Sequence, residues 1–532
     1  MKKLIFALFI FIIGDISAQE SPFQLSLEPL NISEVGGLHV FALGEHDGKW
    51  LILGGRLDGL HERQPWAAFD EAGMNKQITV IDPVNKQKWS APLTSLPAAM
   101  QEQLSSTNMQ FQQHGNMLYF VGGYGYSTTV FNHITHNKLT AIDVPATINA
   151  VINGTSFTGF FRQIEDAQFA VTGGYLEMIY DTYYLVGGNK FDGTYNPNNN
   201  PTFTQVYTDQ IRKFKINDNG TTLSVTHLPS ITDADNLHRR DYNVVPQIMP
   251  NGEQGLTAFS GVFQVDADLP FLNCVNIDSS GYEVNNDFSQ YYNHYHCAVL
   301  PLYSESKNEM HSVFFGGIAQ YYDVDGVMTM DNNVPFVKTI ARVTRDSEGV
   351  MKEFKLPVEM PALLGAGSEF IPNEHLEYYE NGVLKLDELE EDSTLVGYIY
   401  GGINSTLPNI FMINNGTQSS ASSQIFKVSL VKSTAVGIDE LNVQSVGDFM
   451  MQVYPNPNEG EFIIRFNMAK QEDVQISIYS MTGQLIITEK LSDLSVGINK
   501  HRIRLANLEN GGTFMVTIQS GGKKAVQKVI IN

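Results

Sequence analysis

Trp50-Leu-Ile-Leu-Gly54-Gly55 is an apolar, strand-forming run that stops on two residues with almost no side chain, and the same phrase returns five more times. The other copies are Leu118-Tyr-Phe-Val-Gly122-Gly123, Tyr183-Tyr-Leu-Val-Gly187-Gly188, Leu256-Thr-Ala-Phe-Ser260-Gly261, Val313-Phe-Phe-Gly316-Gly317 and Tyr398-Ile-Tyr-Gly401-Gly402. The first small residues stand 68, 65, 73, 56 and 85 positions apart, room for four strands and their loops in each interval. Tight-turn residues precede several copies (His46-Asp47-Gly48, His114-Gly115-Asn116, Pro250-Asn251-Gly252), as a hairpin into the run requires. A further β-rich run follows each copy, for example Ile78 to Asp82, Leu139 to Asp143 and Gln424 to Leu430. Each unit therefore reads as a four-stranded antiparallel meander.

Such units cannot bury both faces alone, and radial packing of six of them predicts a six-bladed β-propeller. The sixth unit runs out of strand after Leu430, while Phe23-Gln-Leu-Ser-Leu-Glu-Pro29 is an alternating strand with no unit of its own. The N-terminal strand is thus predicted to complete the last blade. Asp82-Pro83, Asn85 and Trp89, with the paired glycines, resemble a Kelch repeat across roughly residues 20 to 432.

The fold class is all-β, with a signal peptide over 1–18, the Kelch-like propeller over 19–432, a small and polar linker over 433–447, and a second domain over 448–532. Lys2 and Lys3 before the apolar run Leu4 to Ile13, then Ser17 and Ala18, mark the signal peptide, since ten apolar residues are too few to span a bilayer. Beyond the linker, short alternating runs such as Glu461 to Phe466, Val474 to Tyr479 and Thr513 to Ile518 suggest a small immunoglobulin-like β-sandwich.

The sandwich carries ordered blocks: Tyr454-Pro455-Asn456-Pro457 with Gly460, then Tyr479-Ser-Met-Thr-Gly483, then Gly511 to Val516, then the basic Lys523, Lys524 and Lys528. Together they resemble the C-terminal sorting domain of the type IX (Por) secretion system. The resemblance implies engagement with that secretion machinery, passage across the outer membrane of a Bacteroidetes-type bacterium, and release or attachment to surface lipopolysaccharide.

Of 532 residues 57 are acidic and 34 basic, a formal net charge of −23 that repels phosphate backbones and argues against nucleic acid as a partner. The last stretch, 439–532, holds ten acidic and nine basic residues, so the acidity belongs to the propeller.

Long loops after the glycine pairs should crowd one face, where Trp66, Tyr195, Tyr321 and Tyr322 offer stacking surface for a carbohydrate or protein ligand. The loop of the second unit reads as short. Two polar segments lead into the inner strands of blades 4 and 5. One holds His238, Arg239, Arg240 and Asp241; the other holds His294 and His296. Arg239 is taken as a binding residue, and His238, Arg240 and Asp241 as acid/base candidates at the channel mouth. His294 and His296 share one strand face and suit a divalent metal, the one cofactor the sequence leaves room for. Internal ion pairs and hydrogen bonds are the competing use of all these groups. Cys274 and Cys297 lie on successive blades and form either a disulfide or two buried small hydrophobes. Tyr295, His296 and Cys297 superficially resemble the residue types of a copper oxidase of the galactose oxidase type, yet they are consecutive where such a site draws on distant blades. No nucleophile elbow, His-Glu-x-x-His or phosphate-binding loop occurs. The sequence leans toward a secreted or surface binding protein, with an extracellular enzyme working at the channel mouth as the alternative.

Overall fold

The computed structural model describes residues 21–64, 66–196, 202–292, 295–324, 327–432, 441–442, 451–454, 458–468, 470–480, 484–492, 494–505, 511–521 and 523–531. The chain is all-β, with two short helices, Ala98–Leu104 and Val144–Asn153, among the described residues. Six antiparallel meanders follow one another, and each glycine-ended run is the second strand of its sheet.

Sheet 1 consists of Ala42–His46, Lys49–Leu53, Gln77–Asp82 and Gln87–Pro92. Sheet 2 consists of Gln110–His114, Met117–Val121, Lys138–Asp143 and Phe161–Glu165. Sheet 3 is Tyr175–Ile179, Thr182–Val186, Gln210–Asp218 and Leu223–Thr232; sheet 4 is Asn243–Ile248, Gln254–Phe259, Cys274–Ile277 and Tyr282–Asn285. Sheet 5 is Val299–Ser304, Glu309–Ile318, Phe336–Arg345 and Met351–Glu359, widened by Leu384–Lys385 on one edge and Leu441–Asn442 on the other. It therefore has six strands where four were expected. Sheet 6 is Ser368–Pro372, Ser393–Gly401 and Ile425–Val431, and its fourth strand is the N-terminal Gln24–Leu30, paired from Gln24 opposite Val431 to Leu30 opposite Ile425.

The repeated phrase is the joint between consecutive sheets. Gly122 and Gly123 both run at positive φ, 65° and 92°, and the Gly123 amide donates to the Val171 carbonyl just ahead of sheet 3 at 2.9 Å. A Cβ on Gly122 would stand 2.0 Å from that same oxygen, so no side chain fits. The bond recurs as Gly55 to Ser106, Gly188 to Arg239, Gly317 to Leu364 and Gly402 to Leu38, the last joining sheet 6 to sheet 1. Sheet 4 departs from the pattern: Ser260 stands at the first position, and the Asn243 side chain makes the link to sheet 5 through the Tyr295 carbonyl (3.1 Å) and the Cys297 amide (3.1 Å).

Apolar residues pack between neighbouring sheets in the same order. Leu51, Phe120 and Ile142 lie between sheets 1 and 2; Phe169, Leu185 and Phe214 between 2 and 3; Tyr184, Val244 and Leu256 between 3 and 4. Phe259, Phe288 and Phe314 fill the space between 4 and 5, Leu300, Ile399 and Val428 that between 5 and 6, and Phe41, Trp50 and Tyr398 that between 6 and 1.

The C-terminal residues build a separate two-layer sandwich. Met451–Tyr454, Glu461–Met468 and Gly497–Arg504 form one sheet; Leu485–Leu491, Val474–Ser480, Gly512–Ser520 and Lys523–Ile531 form the other. Phe462, Ile464, Ile476, Val516 and Val529 are its own core.

Candidate functional site

The residue or residues before each first strand form a collar. Backbone φ is positive at Val40 (51°), Asn108 (51°), Gly173 (65°), Asp241 (50°) and Gly367 (71°), one position for each of five sheets. Amide-to-carbonyl bonds run from one to the next: Gly173 to Asn108, Asp241 to Gly173, Gly367 to His296 and Val40 to Gly367, at 2.8 to 2.9 Å. The collar thereby holds Asn108, Asp241 and His296 at the start of the strands whose inner faces line a common cavity.

Two polar groups sit at this level. In the first, Asn108 donates to Asp241 at 3.0 Å, Asp241 pairs with Arg240, and Arg240 Nε donates to the Tyr207 hydroxyl at 2.9 Å while lying over the Phe263 ring. In the second, His296 Nε2 lies 2.8 Å from Glu369 Oε1, beside Tyr175. Burial works against the His296 imidazolium, but the charge of Glu369, its hydrogen bond and the charge of Asp241 outweigh it and raise the pKa.

Loops after the glycine pairs cover the collar and brace one another. His61 stacks on Phe69 and meets Tyr195 edge-on at 4.6 Å; Asn414 Nδ2 donates to the Leu60 and His61 carbonyls. His61 feels the charges of Arg240 and Asp241. The second unit's loop, expected to be short, is a hairpin of Tyr124–Ser127 and Asn132–Thr135. Tyr124 at its base donates to the Gly193 carbonyl of the neighbouring loop at 2.7 Å.

Of the residues named from sequence, Arg240 and Asp241 pair with each other. His238 is drawn aside, with Nδ1 2.8 Å from Asp209 Oδ1 and its ring stacked on Tyr207 at 3.7 Å. Arg239, expected at a binding surface, is an internal brace. It is 1% exposed, its guanidinium donates to the Ser260 and Asn273 carbonyls and to the Asn273 side chain, and it covers the Phe271 ring. Trp66 projects into solvent (83% exposed), Tyr322 is half-buried, and Tyr321 is buried against Tyr291, which removes it from any ligand surface.

Cys274 and Cys297 are not a disulfide: both are free and buried, Cys274 beside Met351 and Cys297 beside Asn243, and burial pushes both thiols up to about 12. Among the described residues no group of three or more His, Cys, Asp or Glu could hold a metal ion. His294, Pro455, Asn456, Pro457, Gly483 and the expected signal peptide, 1–18, lie outside the described residues, as does the expected linker, 433–447, apart from Leu441 and Asn442; Tyr454 ends a strand, and Gly460 runs at a φ of 91°.

Sequence reasoning missed the cavity below the collar. First strands of sheets 2 to 6, with the residues beside them, line one space of about 150 Å³, and Gln110, Gln112, Tyr175, Glu177, His296 and Glu369 supply its polar groups. Glu177 is pushed up to about 8 by burial and by the charge of Glu369.

Buried titrating groups elsewhere make stability depend on pH in a definite direction. Burial also pushes Glu45 and Glu353 up to about 8, whereas it pulls His39, His61 and His136 down to about 4 and His311 well below its usual value. Carboxyls that ionise near 4.5 when unfolded and near 8 when folded cause stability to fall as pH rises through that window. The histidines act oppositely: below 6.5 the unfolded chain takes up protons that the folded chain refuses, so acid destabilises. Thermal melts should therefore peak near pH 6.5 and decline toward about pH 8, and Glu353→Gln should flatten the alkaline limb. A melting temperature level across that limb would contradict the assignment.

Residues 452–532 match the family described as secretion system C-terminal sorting domain. No curated protein matches the chain. Among solved structures, "Structure of YjhT" is 10% identical, covering 76% of this chain and 99% of that one at a TM-score of 0.39. A chain from the cryo-EM structure of RAG in complex with one melted and one unmelted RSS is 12% identical (77% and 100% covered, TM-score 0.36). A glycoside hydrolase family 43 arabinoxylan arabinofuranohydrolase from Bacillus subtilis is 9% identical (93% and 96% covered, TM-score 0.28). Scores this low carry no argument about fold or function. The C-terminal match does: residues 452–532 are a secretion-system sorting domain, and the chain is a type IX cargo exported to the cell surface or the medium.

Proposed function

We propose that residues 19–432 form a six-bladed β-propeller of Kelch-like type, and that this exported module is a binding protein whose loop face receives a protein or carbohydrate ligand. Support for the propeller comes from six sheets, six inter-sheet cores and a joint that returns from sheet 6 to sheet 1. After export the sorting domain is removed, and the module is released or held on surface lipopolysaccharide.

One observation carries the binding reading: large apolar side chains are left in solvent on the loop face. Leu57 and Trp66 belong to the first loop, Phe131 (80% exposed) to the second, Val206 to the third, and Met412 (71% exposed) and Ile413 to the sixth. Loops of different sheets are cross-braced, as by Asn409 to Asp331 at 2.8 Å, so these side chains ride on an ordered platform. A glycan array and a screen against the host's own surface proteins, both with a chain ending at Asn442, should return a ligand. Replacing Trp66, Phe131 and Met412 together by serine should then weaken binding about tenfold or more with the melting temperature unchanged. Equal affinity in the triple variant would count against the loop face.

The enzyme reading has its own support, since the Arg240–Asp241 and His296–Glu369 pairs lie near enough for the charge of Asp241 to act on His296. His238 does not join them.

A further inference from the structure

We propose that the cavity beneath the collar is a second, separate binding site, and that it takes a single neutral sugar ring. It lies among first strands rather than loops, so it stands or falls independently of the loop face.

Size is the first argument. A space of about 150 Å³ holds a molecule on the order of one six-membered ring, not a chain. Charge is the second. His296 Nε2 already faces Glu369 at 2.8 Å and Glu177 keeps its proton at neutral pH, so the lining leaves no unpartnered charge to offset the desolvation of an ionic ligand. Hydrogen-bonding character is the third. Two amides, a phenol, a protonated carboxyl and a carboxylate present donors and acceptors side by side, which suits hydroxyl groups because each hydroxyl is both. Val244, Pro246 and Phe370 add an apolar wall for the C–H face of a ring.

In this arrangement Glu177 is a donor only while protonated. The titratable groups around it are Tyr175 on its own strand, Glu369 on the first strand of sheet 6, and His296 and Cys297 ahead of the first strand of sheet 5; Gln112 of sheet 2 and Val244 of sheet 4 do not titrate. Ionisation of Glu177 would place a second carboxylate beside Glu369 and cost the ligand its donor.

The full mature chain should be titrated with D-glucose, D-galactose and N-acetyl-D-glucosamine, read by calorimetry and by ligand-observed NMR, with D-glucuronate as the anionic comparison. At least one neutral sugar should bind saturably, more tightly than glucuronate, and the affinity should fall about tenfold as pH rises through about 8. Glu177→Gln, which keeps a donor and no charge, should retain the affinity and lose the pH dependence, and Tyr175→Phe should weaken binding. No saturable binding by any neutral sugar, tighter binding of glucuronate, or binding that Tyr175→Phe leaves unchanged would each overturn the proposal.

Discussion

Deleting residues 22–30 is expected to lower the melting temperature by about 10 °C or to prevent folding, because these residues are the fourth strand of the last sheet. Phe23 and Leu30 are buried, at roughly 2 kcal/mol each, and Leu25 and Leu27 are packed partly against the core between sheets 5 and 6. Seven cross-strand pairs with Ile425–Val431 are lost with them. The loss also bares a long apolar strand edge, so the truncated chain should aggregate at concentrations where the intact chain is monomeric. Calorimetry and light scattering on the two purified chains check this; equal melting temperatures would mean that the strand adds nothing.

The second large effect is on export. A chain ending at Asn442 should remain folded yet stay in the periplasm of a competent host, because the sandwich core of Val453 to Ile531 is complete in itself and draws on no residue of the six sheets. Ending there keeps Leu441 and Asn442 paired with Lys355 and Phe354, so sheet 5 is undisturbed. Conversely, residues 440–532 fused to a periplasmic reporter should carry it outside. Fractionation with immunodetection of both proteins settles the matter, and a truncated chain found outside in normal amount would remove the sorting role.

The six-sheet plan could be read from sequence because one short phrase does two jobs. A glycine pair is needed both to turn the chain at positive φ and to let the next sheet's backbone approach, and no other residue type meets both demands at Gly122 or Gly401. The N-terminal strand was legible by remainder, as the one alternating segment with no partner of its own. The second loop was misread because its turn, Thr128 to Phe131, contains neither glycine nor proline, and Phe131 itself takes the positive φ of 58°. The site was only half legible. Arg240, Asp241 and His296 announced themselves as clustered charge. Tyr175 and Glu177, or Gln110 and Gln112, alternate along strands as solvent-facing polar residues do, and period two separates the faces of a strand without telling water from an interior cavity. The clue was present in register: polar residues two apart on the first strand of sheets 2 and 3, and Glu369 at the matching place in sheet 6. Arg239 was misassigned for the opposite reason, since a guanidinium wholly satisfied by carbonyls looks like any surface arginine in sequence.

The strand order of the last sheet also fixes how the folded chain answers to force. The C-terminal tail leaves from Val431, whose strand is flanked on one side by Ser393–Gly401 and on the other by Gln24–Leu30. Tension on the tail first meets the two-residue pairing of Leu441–Asn442 on the edge of sheet 5, and only beyond it the interior strand, which two ladders hold at once. The export signal is anchored at a mechanically strong point, so a load on it tests the tail before it opens the cargo.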